Sequence, residues 1–280
     1  MLAAGRLTLG SRSYDLTTRA LVMGVLNRTP DSFFDRGAYW DLDAFWRRAD
    51  RLVAEGADLV DVGGVKAGEG AEVSVDEELD RVVPAVSGLR QRFDVPLSVD
   101  TWRSAVAAEC FRAGAVMGND ISGFADPGYL PAAAAAGATV VATHIRLRPR
   151  VPDPEPHYAD VVRTVTDFLV DRARAAAVAG IAPERIVVDP GLDLGKTPAQ
   201  SRRLLLASGR LAGLGYPLLV VASNKDFVGG ILGLGLDDRT VASLGAHAIG
   251  ISLGARLVRT HAVVETVRVR DTLAAVAGAA

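Results

Sequence analysis

A set of polar residues recurs wherever a short apolar run stops. Asn27 closes Leu21–Leu26, Gly63-Gly64 follow Ala57–Val62, and Asp100 ends Pro96–Val99. Asn119 follows Ala115–Gly118, His144 and its Thr143 neighbour follow Ala138–Ala142, and Asp189 follows Arg185–Val188. Ser223 and Lys225 follow Pro217–Ala222, and Arg259 and His261 follow Ala255–Val258. Any one of these has a plain explanation: a helix cap for Asp100, a solvated loop charge for Lys225, a packed edge histidine for His261. A whole ring of convergent polar groups has little structural purpose. Asp100, Asn119, Asp189 and Lys225 suit a flat heterocycle with amide and amidine-like edges, because a carboxylate accepts two N–H bonds from a 2-amino-pyrimidine edge. Asn27, Arg259 and His261 suit a phosphate, which arginine holds bidentately and on which Asn27 helps to fix a Mg²⁺.

Those residues converge only if the apolar runs are parallel strands of one sheet. Each run is short and apolar on both faces, as buried parallel strands are. Between them lie helical patterns: Asp41 or Asp43 caps a helix through Glu55, Ser74 with Glu77 makes a capping box for a helix through about Arg92, and Trp102–Ala113 is helical. Further helices are expected from Pro127 to Ala136, over Tyr158–Gly180, Thr197–Leu211 and Asp237–Leu253, and over Val263–Ala277. Arg6–Leu9 and Ser13–Leu16 flank Gly10-Ser11-Arg12 as a hairpin able to plug one end of a barrel. Arg146–His157 carries Pro149, Pro152, Pro154 and Pro156 and reads as a long mobile loop. Eight strands alternating with helices fit a closed (β/α)₈ TIM barrel with a short N-terminal hairpin, one domain over residues 1–280, whose site lies at the strands' C-terminal ends. An open doubly wound sheet is the alternative, but no glycine-rich dinucleotide fingerprint supports it.

Composition agrees. The chain has 280 residues, 49% hydrophobic but only 6% aromatic, so its core is rich in Ala, Val and Leu. A single cysteine, Cys110, excludes an internal disulfide and suits a reducing compartment. A net charge of −2 gives no reason to expect nucleic acid or an anionic membrane as partner. No apolar run reaches the ~18 residues of a membrane span, and the N-terminus lacks a secretory pattern. A cytoplasmic protein is expected.

The chain resembles dihydropteroate synthase over essentially its whole length. MGVLNRTPDSFFDRG is similar to that family's Asn-Val-Thr-Pro-Asp-Ser-Phe signature, and DVGG, SVDTW, GNDISG, DPGLDLGKT, the Ser223–Lys225 SNK and GARLVRTHAV each have a counterpart, in order. The resemblance implies a transferase of folate biosynthesis that joins 6-hydroxymethyl-7,8-dihydropterin pyrophosphate to p-aminobenzoate and releases pyrophosphate. It implies a pterin gripped by Asp100, Asn119, Asp189 and Lys225, and pyrophosphate with Mg²⁺ at Asn27, Arg259 and His261. Catalysis would fall to Asp100, Asp189, Lys225 and Arg259, with Ser223 and Lys66 on the aminobenzoate side. It also implies a homodimer through the last helices, for which Ala242, Gly245, Ala246, Ala248 and Gly250 are small enough, although packing on the barrel needs the same residues.

Two loops depart from the pattern. After the second strand the family has Asp-x-Gly-Gly-Glu-Ser-Thr-Arg-Pro-Gly, whereas this chain has Asp61-Val62-Gly63-Gly64-Val65-Lys66-Ala67-Gly68-Glu69-Gly70. The Thr and Arg positions are therefore Ala67 and Gly68. A hydroxyl and a guanidinium expected near the aminobenzoate carboxylate and the pyrophosphate are missing. In the first loop Arg28 replaces a valine, Phe34 a serine and Arg36 a glycine, and Asn224 replaces the arginine of Ser-Arg-Lys. Three readings follow: a working synthase whose second loop impairs it, a pterin-binding paralogue without catalysis, and a related barrel that transfers a methyl group from another pterin. A copy with changed acceptor specificity would look the same as an impaired one.

Overall fold

Parity along the strands decides what this barrel contains. Side chains of a strand alternate between faces, and in the computed structural model, which describes residues 5–29 and 41–277, one face of every barrel strand is packed on helices and the other faces the barrel axis. Residues 30–40, with the Phe34 and Arg36 departures, lie outside the described residues. The barrel strands are β3 (Leu21–Asn27), β4 (Leu59–Gly63), β5 (Leu97–Asp100), β6 (Met117–Asp120), β7 (Thr139–Thr143), β8 (Ile186–Asp189), β9 (Leu219–Val220) and β10 (Leu257–Thr260). All their pairings are parallel, in the order β8-β7-β6-β5-β4-β3-β10-β9. A parallel bridge between Val188 and Leu218 joins the two ends of that order, and Val188 N donates to Pro217 O at 3.0 Å. The (β/α)₈ barrel expected from the alternation of runs is thus closed.

Val22, Leu26, Val60, Val62, Val99, Val140, Val188 and Val258 point outward and pack against the helices. Met23, Leu59, Met117, Val141, Val187, Leu219 and Leu257 point inward and form the floor. The hairpin of β1 (Arg6–Leu9) and β2 (Arg12–Asp15) seals that floor, with Leu7, Leu9 and Leu16 buried in the same cluster. Beyond the floor the inward positions turn polar: Asp61, Asp100, Asn119, Thr143, Asp189 and Arg259.

The helices are α1 (Leu42–Ala54), α2 (Val75–Arg92), α3 (Ser104–Ala113), α4 (Tyr129–Ala135), α5 (Val161–Val178), α6 (Pro198–Leu206), α7 (Ser208–Ala212), α8 (Asp226–Leu232), α9 (Thr240–Ser252) and α10 (Val263–Val276). Asp41 rather than Asp43 caps α1, accepting from Ala44 N at 3.0 Å. Ser74 accepts from Glu77 N at 3.1 Å to cap α2, while the Glu77 carboxylate turns to Arg81. The helix expected over Thr197–Leu211 breaks at Ala207 into α6 and α7, and α8 is an element the sequence pattern missed. Its two adjacent glycines, Gly229 and Gly230, hid it. Cys110 is buried on α3 with its thiol pushed up to about 12 by burial, so it is a packing residue. On α9, Ala246 and Gly250 pack inward, Gly250 against Val220, while Val241 and Ile249 are exposed. Among the described residues no helix is long and apolar enough to cross a membrane.

Candidate functional site

Four members of the polar inward layer, Asp61, Asp100, Asn119 and Arg259, are bonded together around one buried carboxylate. Asp61, fully buried on β4, accepts from Arg259 Nε at 2.6 Å and from Asn119 Nδ2 at 3.1 Å through a single oxygen. Arg259 Nη2 also donates to Asp100 at 2.9 Å. Adjacent strands hold these partners in register: Asp100 is paired with Asn119 across β5 and β6, and with Gly63 across β4 and β5. The sequence reading passed over Asp61 because it sits inside its strand, two residues before the end. The available signal was parity, since a carboxylate in an otherwise apolar buried run must face either a helix or the barrel axis.

Electrostatics follow from the burial. Burial raises the Asp100 carboxyl above the usual range by more than Arg259 lowers it. Asp189 is raised by burial too, against the pull of the Gly191 N–H and of the nearby Lys225, Lys196 and Arg259 charges. Its Oδ1 accepts from Gly191 N at 2.8 Å. Gly191 has φ +64°, and a Cβ there would lie 1.9 Å from His144 O, so only glycine fits this turn after β8.

A cavity of about 260 Å³ opens above this layer. Asn27, Lys66, Asp100, Ser223, Lys225, Arg259 and His261 all line it, so seven of the expected site residues meet there. Asn119 and Asp189 are buried beside it, tied in through Asp61 and through proximity to Lys225. His144 is a correction. It is buried on the helix side of β7, its ring 4.9 Å from Phe168 and 6.1 Å from Tyr158. Parity makes Thr143 the inward residue of that strand, and burial drops the His144 imidazole to about 3.

His261 and Ser223 form a pair at the β9–β10 edge. Ser223 Oγ accepts from His261 N at 3.1 Å and lies 2.9 Å from its Nδ1. Burial, with Arg259, Arg48 and Lys225 nearby, lowers the His261 imidazole to about 3. The neutral ring shares one hydrogen bond with the serine hydroxyl through Nδ1, and the direction of that bond sets its tautomer. Arg48 of α1 donates to His261 O at 2.6 Å and fixes this segment from behind.

The loop after β4 is held differently, by arginines that donate to its carbonyls. Arg81 Nη1 reaches Gly64 O at 2.8 Å, and Arg103 reaches Val73 O at 2.6 Å and Ser74 O at 3.0 Å. Arg150, from the loop after β7, donates to Lys66 O at 3.3 Å, to Ala71 O, and from its own backbone N to Ala67 O at 3.1 Å. Arg150 takes a left-handed conformation, φ +66°, to do so. The loop expected to be mobile, Arg146–His157, is therefore tethered: Arg146 is ion-paired to Asp153, and Gln200 Nε2 donates to Pro156 O at 3.0 Å.

Among the described residues no group of three His, Cys, Asp or Glu side chains could hold a metal. Asn27 nevertheless offers an uncovered oxygen: a Cβ at Gly63 would lie 2.9 Å from Asn27 Oδ1, so the glycine leaves it clear. One amide oxygen suits Mg²⁺, which keeps waters and leans on substrate phosphates.

Residues 23–261 match the model of the pterin binding enzyme family. The inactive dihydropteroate synthase 2 of Mycobacterium leprae is 43% identical over 93% of this chain and 91% of its own, and the dihydropteroate synthase of Escherichia coli is 39% identical over 88% of each. The Yersinia pestis dihydropteroate synthase, crystallised as a sulfonamide drug complex, superposes with a TM-score of 0.93 at 40% identity, covering 98% of this chain and 99% of that one. A family match over most of its length, with relatives at these identities, makes this chain a member of the pterin binding enzymes and, within them, of the dihydropteroate synthase family.

Proposed function

We propose that the barrel binds 6-hydroxymethyl-7,8-dihydropterin pyrophosphate and condenses it with p-aminobenzoate slowly, as a dihydropteroate synthase weakened at its second loop. The observation that carries this is the buried layer of Asp61, Asp100, Asn119, Asp189 and Arg259 beneath a cavity mouth bearing Lys225. Asp100, Asn119, Asp189 and Lys225 grip the pterin edge. Arg259, His261 and Asn27 take the pyrophosphate; Asn27 would hold a Mg²⁺ there, which would supply charge neutralisation for the leaving anion.

The arylamine nitrogen attacks the pterin methylene and forms the C–N bond, the C–O bond breaks, pyrophosphate leaves, and the nitrogen gives up one of its two original protons to water. Positive charge that develops at the methylene and ring is met by Asp100 and Asp189. The arylamine is nucleophilic as it stands, so no strong base is required. Ser223 and Lys66 are on the aminobenzoate side. Ala67 and Gly68 offer neither the hydroxyl nor the guanidinium of the family pattern, and loss of one donor aimed at developing charge costs on the order of 10²–10³ in rate. The reading carries with it one barrel domain, a cytoplasmic homodimer, and an α9–α10 contact that covers Val241 and Ile249.

A second reading, a pterin-binding paralogue without turnover, is favoured by the same two residues and by the "inactive" relative at 43% identity. Calorimetry with the pterin pyrophosphate, followed by a pyrophosphate-release assay with p-aminobenzoate and Mg²⁺, separates them. The proposal expects micromolar binding and slow release. Binding with no release supports the paralogue, and absence of pterin binding contradicts both.

A further inference from the structure

A second cavity, of about 220 Å³, lies under the loop after β7. It shares Ala67, Gly68, Asp193 and Leu194 with the first, so the two voids meet at a sill where one side chain stops at Cβ and the next has none. A Cβ built on Gly68 would find only Lys66 Cε, at 3.7 Å, within 4 Å. The positions that lack the family's threonine and arginine are thus the positions where the cavities join.

The side cavity has cationic capacity to spare. Its acidic lining is largely spent: Asp153 is ion-paired to Arg146, and Asp193 accepts from Ser201 Oγ at 3.0 Å and from Phe227 N at 3.1 Å. Lys196 is spent as well, its ammonium donating to His144 O, Gly191 O and Leu194 O at 2.8–3.2 Å. Arg148 and the unshared N–H groups of Arg150 remain, and among the described lining residues Glu69 is the carboxylate left to oppose them. A cavity of this size, large enough for several waters and lined by those N–H groups, favours an anion that can use them.

We propose that the joined cavities take one elongated acceptor: an arylamine whose carboxyl end is extended by a carboxylate-bearing tail. The aryl ring lies in the first cavity with its amine toward the pterin methylene, and the tail crosses the sill at Ala67–Gly68 to reach Arg148 and Arg150. This rests on the pterin-binding reading above, because that reading fixes where the amine must point.

The test loads the whole protein with 6-hydroxymethylpterin and inorganic pyrophosphate, a non-reacting pair, and measures pterin binding by calorimetry first. Then p-aminobenzoate, 4-aminobenzoylglutamate and the uncharged diamide of the latter are titrated in turn. The glutamate conjugate is expected to bind at least tenfold more tightly than either of the others. Arg148→Ala should cut that preference about threefold, and Gly68→Phe should erase it while pterin binding stays. Ala67→Leu serves as a second sill-closing variant should Gly68→Phe fold poorly. Equal binding of the three acceptors to pterin-loaded protein, or a preference that survives a closed sill, overturns the proposal and leaves the pterin reading standing. Failure of pterin itself to bind overturns both.

Discussion

The two walls of the main cavity are built on different physical terms. One is a layer of strand residues whose direction is set by parity and whose spacing is set by ladder hydrogen bonds; the other is a loop whose backbone is held from outside while its side chains are free to differ. Asp61, Asp100, Asn119 and Arg259 cannot change independently, because each is a partner of another in a largely buried layer. Ala67 and Gly68 can change, because Arg81, Arg103 and Arg150 grip carbonyls along the same loop whatever the side chains are. Coupled burial constrains the strand layer, and a loop held by its backbone tolerates different side chains.

The comparison breaks most visibly at its strand side. Asp61→Ala removes the shared acceptor and leaves Arg259 with Asp100 as its acceptor among the described residues, so unfolding free energy should fall by about 3–5 kcal/mol, read by denaturant titration. Asp189→Ala should keep more of the fold but weaken pterin binding by about 10²-fold or more, as truncation of one partner of a buried polar contact does. On the loop side, Ala67→Thr with Gly68→Arg should leave pterin affinity unchanged and speed pyrophosphate release on the order of 10²-fold. Arg150→Ala should loosen residues 66–71, giving faster amide exchange there by about tenfold, the loss of roughly 1–2 kcal/mol in hydrogen bonds to carbonyls.

The smallest effect concerns pH. His261, lowered to about 3 by burial and neighbouring cations, is neutral at pH 7 in the free protein. A bound anion favours the imidazolium, so pyrophosphate affinity should rise a few-fold as pH falls from 8 to 6, with proton uptake seen by calorimetry in two buffers. His261→Asn should flatten that slope. The same group bears on stability in the opposite sense. Its folded value lies below the ~6.5 of an unfolded histidine, so its contribution is present above about pH 6.5 and is lost as pH drops toward 3.

Much of this architecture was legible in the sequence, because short apolar runs that end in Asn27, Asp100, Asn119, Asp189 and Lys225 mark parallel strands and their rim at once. What was not legible is explained by parity and by long-range partners. His144 and Asp189 follow similar runs, yet one residue of phase turns the histidine out to Phe168 and the aspartate in to the site. Asp61 looked like an interior strand residue until Arg259, almost two hundred positions later, supplied its partner. Arg150 read as one charge in a proline-rich loop, and only the fold brings it to the carbonyls of residues 66, 67 and 71.

The most direct test of an intact grip beside a depleted loop is a paired experiment on the natural chain and the Ala67→Thr, Gly68→Arg variant. Each is loaded with 6-hydroxymethyl-7,8-dihydropterin pyrophosphate and Mg²⁺, then mixed with p-aminobenzoate, and pyrophosphate release is followed. Equal pterin affinities with markedly faster release from the variant are the predicted result. Release at the same rate from both, or a natural chain that cannot hold the pterin, would contradict the account.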